Sequence, residues 1–554
     1  MSTESSGNLL NLNPTEWIEI QGSLLTGKLS RIQISEMLDD DLKELKQDTV
    51  NVRVWRNFAG EPMANAFRVL GLYWGISYEL EFMGYDDSFS FVELLDVNVA
   101  ISIEVILIDR SHYEMSDDAF TAWIKDREDY LTTVTGNAVV TVIAAEEIVY
   151  RFGGMEVSRV VSKIANQPLF DSRYEQISGS RLTPKAHFLI ARELAAAWVG
   201  STIAPPKKLI VVDLDFTLHD GILGESQLNI KITEGYLALQ EQLIAAKRRG
   251  FMLAIISKND LQDVLDLLAS QSMYLLNEND FVSIEASWES KCIAMSKILE
   301  KTRVNEDSVI FIDDNPVELL QMKAVYPSIS LVSAAEGPDV AGETLRYLPG
   351  FQRQKGDDLG DTRIRDIQSN EERLELIQNG LNAYYQSAKP QVKISIQDEK
   401  QLERLVDLAR RSNQFNLTLA RAGIENYRND ESTWVGLGLV DHFNDSGVIG
   451  GILLKKLNPE ECLIQELFLS CRVLGRGLEN SLICQGILAG IKKLGSTRIR
   501  LTWTMGERND PALKWLANTF LEDLPATSGQ ITISVVDVEN LAVTPEGVEV
   551  EIKD

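Results

Sequence analysis

Cysteine and histidine are scarce, each occurring only four times in 554 residues. Cys292, Cys462, Cys471 and Cys484 form no CxxC pair, and His112, His187, His219 and His442 are equally scattered. That spacing excludes a disulfide framework and a zinc site and leaves reduced thiols as the expectation. Long apolar runs are also missing. The best candidate, VNVAISIEVILI, is interrupted by Glu104 and stops at Asp109, short of the ~18 residues a membrane span requires. The opening MSTESSGNLLNLN lacks the basic stretch of a secretory signal, so a cytoplasmic location with no membrane partner is expected. Positive charge is in deficit, with 54 Lys and Arg against 82 Asp and Glu and a net charge of −28. Such a chain repels polyanions, which excludes nucleic acid as a general partner. The basic residues that gather late, Arg410, Arg411, Arg421, Lys455, Lys456, Arg472, Arg476, Lys492 and Lys493, read as a solvated surface of mixed charge.

What is present is ordinary globular composition, 44% hydrophobic and 25% charged. The length exceeds one hydrophobic core and predicts about three or four domains. Residues 1–47 read as a polar leader with a short helical piece, ISEMLDDDLKELKQ. From 48 to 203, runs such as NVRVWRNF and AVVTVIAA alternate with helical stretches, which predicts an α/β domain with a largely parallel sheet. APPKK then breaks the chain before LIVVDLD, and strands and helices alternate again over 204–340, predicting a doubly wound sheet. Residues 335–365, rich in Gly, Asp and Pro, resemble a linker, and 341–390 form the connection to a mixed α/β domain over 391–554 that closes on a last pair of strands. The fold class is therefore multidomain α/β.

The chemistry concentrates where apolar runs stop. Asp213 and Asp215 end LIVVDLD; Ser257 ends the next strand in IISKND; Lys291 follows in SWESK; Asp313 and Asp314 end another strand in FIDDNP. A lone DxD is more often two solvated turn acids, but this set contains the parts of phosphoryl transfer through an aspartyl-phosphate. Asp213 attacks phosphorus, and Asp215 protonates the leaving oxygen and then deprotonates water. Mg²⁺ suits a hard oxygen site made by Asp213, the Asp215 carbonyl, Asp313 and, through water, Asp314. Thr217, Ser257 and Lys291 supply donors and charge to the phosphoryl oxygens.

DLDFTL, Ser257, Lys291 and IDDNP in this order resemble the four motifs of the haloacid dehalogenase superfamily. Too little chain separates Thr217 from the next helix for a cap domain, leaving a short flap around HDGILGE. Adding RSNQFNLT (411–418) and FLSCRVLGRGLE (468–479), the chain over roughly 50–520 resembles the FkbH-like family of polyketide pathways. That resemblance implies an N-terminal SGNH-like domain, a central phosphatase-type domain without a large cap and a C-terminal GNAT-like domain. It also implies a reaction: dephosphorylation of a small phosphorylated acid, 1,3-bisphosphoglycerate, and transfer of the glyceryl group to the phosphopantetheine arm of an acyl carrier protein. RNFAGEP, at the first loop of the N-terminal domain, offers no serine nucleophile, which favours a structural or docking role there.

In SCRVLGRG, Arg472, Gly475 and Gly477 match the R-x-x-G-x-G loop of GNAT acetyltransferases, whose small residues let backbone amides approach a phosphate. A pantetheine arm is the natural ligand; the same string alone is commonly an ordinary strand-to-helix turn. Cys471 alone reads as packing, but the resemblance implies that it carries the acyl group as a thioester, with Arg472 beside it to favour the thiolate. Asn413, Gln414 and Asn416 either orient substrate or pin a junction, and Trp434, Asp441 and GERNDP (506–511) are candidate linings of the acyl site. The chain departs from the family where DLDNTLWGGV is usual: Phe216 replaces Asn, and His219 and Asp220 replace Trp and Gly. These changes leave the acyl donor open and make His219 a candidate substrate contact. A phosphatase fused to an acyltransferase for an amine or sugar hydroxyl, and a decayed carrier-docking scaffold, are the rival readings.

Overall fold

Strands that are apolar at every position, without alternation, are the mark of a sheet covered on both faces. LIVV, MLAIIS and VIFID, apolar without alternation until Ser257 and Asp313 end the last two, are buried throughout and form the centre of the sheet that carries the aspartates. The structure is a computed structural model that describes residues 14–25, 49–92, 101–145, 148–152, 160–161, 163–164, 167–223, 230–269, 274–352, 370–412, 414–506, 509–521, 523–525 and 527–553. The chain divides into two compact units, Met1–Asp358 and Leu359–Asp554. Both are mixed α/β, as the sequence predicts. The helical piece expected over 34–47 and most of the second half of the expected linker lie outside the described residues.

The first unit begins with a helix that the sequence reading did not anticipate, α1 (Pro14–Leu25). Gln21 on α1 donates to Leu331 O at 3.1 Å and accepts from Ser333 N at 2.9 Å, so one side chain satisfies the free edge of a strand far along the chain. The first sheet contains β1 (Thr49–Arg56), β2 (Ser77–Tyr85), β3 (Ile103–Asp109), β4 (Ala138–Ala144), β5 (Ile148–Phe152) and β6 (Val160–Val161) in the order β2-β1-β3-β4-β5-β6. Its first four strands are parallel and the last two antiparallel. A two-stranded ribbon, β7 (Lys163–Ile164) with β8 (Gln167–Pro168), follows.

The second sheet of this unit is wholly parallel. It comprises β9 (Leu209–Val212), β10 (Met252–Ser257), β11 (Ser283–Ala286), β12 (Val309–Asp313) and β13 (Ser330–Ser333), ordered β11-β10-β9-β12-β13. Helices α2 (Glu234–Arg248), α3 (Leu261–Ala269), α4 (Lys291–Thr302), α5 (Pro316–Val325) and α6 (Pro338–Arg346) connect and cover it. Strand order runs outward from β9 to β11 and then reverses to β12, so the crevice between the carboxyl ends of β9 and β12 is the switch point where such sheets bind ligands.

α6 corrects the linker reading of 335–365. Its Gly, Asp and Pro residues form a helix start, with Pro338 in the first turn, and Ala341, Leu345 and Leu348 are buried in the core of this sheet. The i, i+4, i+7 spacing of those three residues was hidden by the turn-like composition around it.

The second unit is built on β14 (Gln391–Ile396), β15 (Phe415–Asn416), β16 (Ser432–Val440), β17 (Asp445–Lys456), β18 (Glu461–Leu469), β19 (Arg498–Trp503), β20 (Gly529–Ser534) and β21 (Glu549–Lys553). The order is β20-β19-β18-β17-β16-β14-β21, with β15 on β18. The expected final strand pair is corrected: β20 joins β19 at one edge and β21 joins β14 at the other. Helices α7 (Asn370–Gln378) and α8 (Leu381–Ala388), taken from sequence as a connection, belong to this unit, since Tyr384, Tyr385 and Ala388 are in its core. α9 (Glu479–Leu494) follows the glycine loop.

Candidate active site

Backbone pairing places the acids. Asp213 N donates to Ile312 O at 3.0 Å, continuing the ladder between β9 and β12 and setting Asp213 beside Asp313 at the switch point. Lys291, the first residue of α4, reaches both: its Nζ lies 2.9 Å from Asp213 Oδ1 and 2.6 Å from Asp313 Oδ2. Asp313 Oδ1 accepts from Asn315 N at 2.9 Å, and Asn315 in turn caps α5. One oxygen from each of Asp213, Asp313 and Asp314 lies within 4.8 Å of the others, a donor set for one small hard cation.

The electrostatics favour such a cation. Burial pushes the Asp213 carboxyl up to about 8, with Lys291 opposing and the neighbouring Asp313 adding to the rise. Burial likewise raises Asp313, and burial together with Asp313 pushes Asp314 up to about 6. Burial alone would lower Lys291, but the two carboxylates outweigh it and hold the ammonium above its ordinary range. One ammonium thus serves three crowded acids, which leaves an uncompensated charge for a divalent ion to neutralise. A second sign of an incomplete site is Thr217, whose buried Oγ1 has no hydrogen-bond partner among the described residues.

Asp215 is held by a separate set of donors. Its Oδ1 accepts from His219 Nε2 and from Leu223 N, both at 3.1 Å, and its Oδ2 accepts from Asn259 Nδ2 at 3.0 Å. Asn259 also donates to Ser257 Oγ at 2.8 Å, which links the end of β10 to the acid. His219 is fully enclosed, with Nδ1 hydrogen-bonded to the Tyr274 hydroxyl. The expected substrate contact is therefore corrected: His219 backs Asp215 instead of facing the crevice. Asn259 and Tyr274 were not singled out from sequence. Phe216, between the acid and Thr217, takes φ 55° and is 40% exposed, an uncommon conformation for a bulky residue. Residues 224–229 of the flap lie outside the described residues.

In the first sheet, Asn57 stands at the end of β1 and accepts from Asp109 N at 2.7 Å. It is part of a partly exposed polar cluster with Asp87, His112 and Tyr113.

In the second unit, Cys471 is partly exposed at the start of a short 3-10 turn after β18, and Arg472 Nε donates to Ser470 Oγ at 3.3 Å. The loop is shaped by Arg476, which is buried instead of forming part of the expected solvated surface and donates to Arg472 O at 3.0 Å and to Asp441 at 3.3 Å. Asp441 is a buried anchor, gripped by Arg373 through two bonds of 2.8 Å. Burial would raise its carboxyl, but the guanidiniums and backbone amides hold it below the usual carboxylate range. Gly475 and Gly477 both have positive φ, and a Cβ on Gly477 would strike Leu381 and Tyr385. Gly475 N donates to Glu479 Oε1 at 2.5 Å, so a carboxylate occupies one amide that a phosphate would use. β18 pairs with β19 only as far as Ile464; beyond it Leu417 N bonds Leu467 O and Thr504 N bonds Leu417 O. The RSNQFNLT stretch thus bridges the splayed strands of its own unit. Asn416 is buried within that bridge, with Asn509 donating to its carbonyl, while Asn413 lies outside the described residues, as do two residues of GERNDP. Trp434 is buried in the core.

No family model and no curated protein matches the chain. Among solved structures it is similar to the N-terminal part of the Bacteroides fragilis protein BF1531, which contains a phosphatase domain complexed with Mg, at 16% identity, covering 60% of this chain and 99% of that one with a TM-score of 0.41. It is also similar to mutant forms of the spermidine/spermine N-acetyltransferase SpeG from Vibrio cholerae, at 11% identity over 27% of this chain and 96% of that one, TM-score 0.20.

Proposed function

We propose that the first unit is a magnesium-dependent phosphoryl-transfer enzyme working through an aspartyl-phosphate on Asp213. One observation carries this reading: Asp213, Asp313 and Lys291 converge at the switch point of a parallel sheet, with Asp215 two residues on and held by donors. Asp213, Asp313 and Asp314 would hold Mg²⁺, which supplies charge neutralisation for an incoming phosphate. Asp213 Oδ attacks phosphorus as the leaving oxygen takes a proton from Asp215; water then attacks the phosphoryl group while Asp215 recovers a proton. Ser257, Thr217 and Lys291 bind the phosphoryl oxygens, and the orphaned Thr217 hydroxyl finds its partner there.

The substrate, in this reading, is a phosphorylated three-carbon acid such as 1,3-bisphosphoglycerate: the ester phosphate is removed at Asp213, while in the second unit the Cys471 thiolate attacks the acyl-phosphate carbonyl, expelling phosphate and forming a thioester. The thiol of the phosphopantetheine arm of an acyl carrier protein then takes the acyl group and releases the Cys471 thiol. The motif resemblance and the exposure of Cys471 beside the glycine loop support this part. A pantetheine phosphate settling on Gly475 N has to displace Glu479. Mass spectrometry of the protein with a bisphosphoglycerate-generating system, Mg²⁺ and phosphopantetheinylated carrier tests it: an adduct on Cys471 that chases onto the carrier is expected. Phosphate release without carrier loading would instead favour an acyltransferase for an amine or sugar hydroxyl, and neither event would favour a docking scaffold.

A further inference from the structure

The donors around Asp215 are not equivalent. Among the described residues, Oδ1 receives two N–H groups, from His219 and Leu223, which use both of its lone pairs, whereas Oδ2 receives only the Asn259 amide. A proton on this carboxyl therefore belongs on Oδ2. The arrangement works only if His219 carries its proton on Nε2, and its environment enforces that tautomer. Tyr274 is buried, and burial, with Asp215 and Asp213 nearby, raises its hydroxyl well above the ordinary range, so it remains a donor toward His219 Nδ1. Tyr274 is itself held in place: Leu275 N donates to Gln240 Oε1 at 2.9 Å, and Gln240 donates to Leu218 O at 3.1 Å, tying the tyrosine segment to the turn that carries His219.

We infer that His219, locked in its Nε2–H tautomer by Tyr274, is a positioning residue that saturates Oδ1 of Asp215 and leaves Oδ2 as the oxygen that exchanges protons with the leaving group and with water. The inference rests on the reading of Asp215 as the acid and base of phosphoryl transfer. In the first step the P–O bond to the leaving group breaks, the Asp213–phosphorus bond forms, and the Oδ2 proton passes to the leaving oxygen. In the second, the water oxygen bonds to phosphorus, the Asp213–phosphorus bond breaks to release phosphate, and the proton lost by the water returns to Oδ2. Between the two, Asp215 is a carboxylate held by three N–H donors.

The test compares kcat/KM, which reports phosphoenzyme formation, for phenyl phosphate and 4-nitrophenyl phosphate with Mg²⁺ present. For His219→Phe the phenyl ester, whose leaving oxygen needs a proton, is expected to lose about 100-fold, and the nitrophenyl ester less than about fivefold. His219→Gln, which keeps an N–H donor, recovers most of the loss; Tyr274→Phe, which frees the tautomer, loses about tenfold on the phenyl ester alone. Long-range ¹H–¹⁵N spectra of the wild-type protein, with His219 assigned by its absence in His219→Gln, are expected to show the Nε2–H form. Equal losses on the two esters, a Gln variant as impaired as Phe, or an Nδ1–H imidazole would overturn the assignment. Asp213→Asn is the control: if it still turns over both esters, the phosphatase reading fails and this one with it.

Discussion

Lys291 Nζ sits 2.9 Å from the Asp213 carboxylate and bridges to Asp313, so one buried cation holds two buried acids in register across two strands. Removing one partner of a buried ion pair strands the others, at a cost of about 3–5 kcal/mol. Lys291→Met is therefore expected to lower stability to denaturant by that order when divalent ions are chelated and to recover much of it when Mg²⁺ is added. Turnover should fall by at least about 100-fold because a phosphate-facing charge is gone. Identical unfolding curves with and without Mg²⁺ would contradict the shared site.

Phe216 pays for its place with a left-handed backbone that an aromatic residue avoids. Asn tolerates that conformation more readily. Because Phe216 is substantially exposed, little packing is lost on replacement. Phe216→Asn is expected to raise unfolding free energy by about 1 kcal/mol, read from chemical denaturation. A loss of stability would mean that the ring makes contacts that outweigh its strain.

Lys207, just before β9, is buried with Nζ donating to Asp307 O at 2.5 Å. Burial depresses its pKa to about 8. The unfolded chain then binds more protons than the folded one between about pH 8 and 10.4, so this residue makes stability rise with pH across that window. Below it the folded state carries the full penalty, roughly 3 kcal/mol. Lys207→Met should flatten the pH dependence of unfolding between pH 8 and 10 and stabilise the protein at pH 7. An unchanged slope would show that Lys207 remains charged.

The site acids and Ser257 were legible because each stands where an apolar run ends, and a parallel sheet gathers the carboxyl ends of its strands at one crevice. What periodicity does not reveal is which polar side chains turn inward. His219 looks exposed in a Gly- and Asp-bearing turn, yet Tyr274, 55 residues on, buries it. Asn259 is a common turn residue until the Asp215 carboxylate is found at 3.0 Å. The α6 helix was lost to its Gly and Pro content, although its buried stripe has helical spacing. β20 and β21 were paired because neighbouring strands usually are, whereas the helix Val535–Leu541 and the segment after it carry the chain to the far edge.

The central claim is that Asp213 becomes phosphorylated. It is tested most directly by acid-quenching the protein during turnover of an acyl or aryl phosphate with Mg²⁺ and mapping the phosphoryl group by peptide mass spectrometry. A single hydroxylamine-sensitive phosphoryl group on the peptide containing Asp213, absent from Asp213→Asn, is the predicted result. Phosphate release that persists in Asp213→Asn, or a phosphoryl group on any other residue, would contradict it.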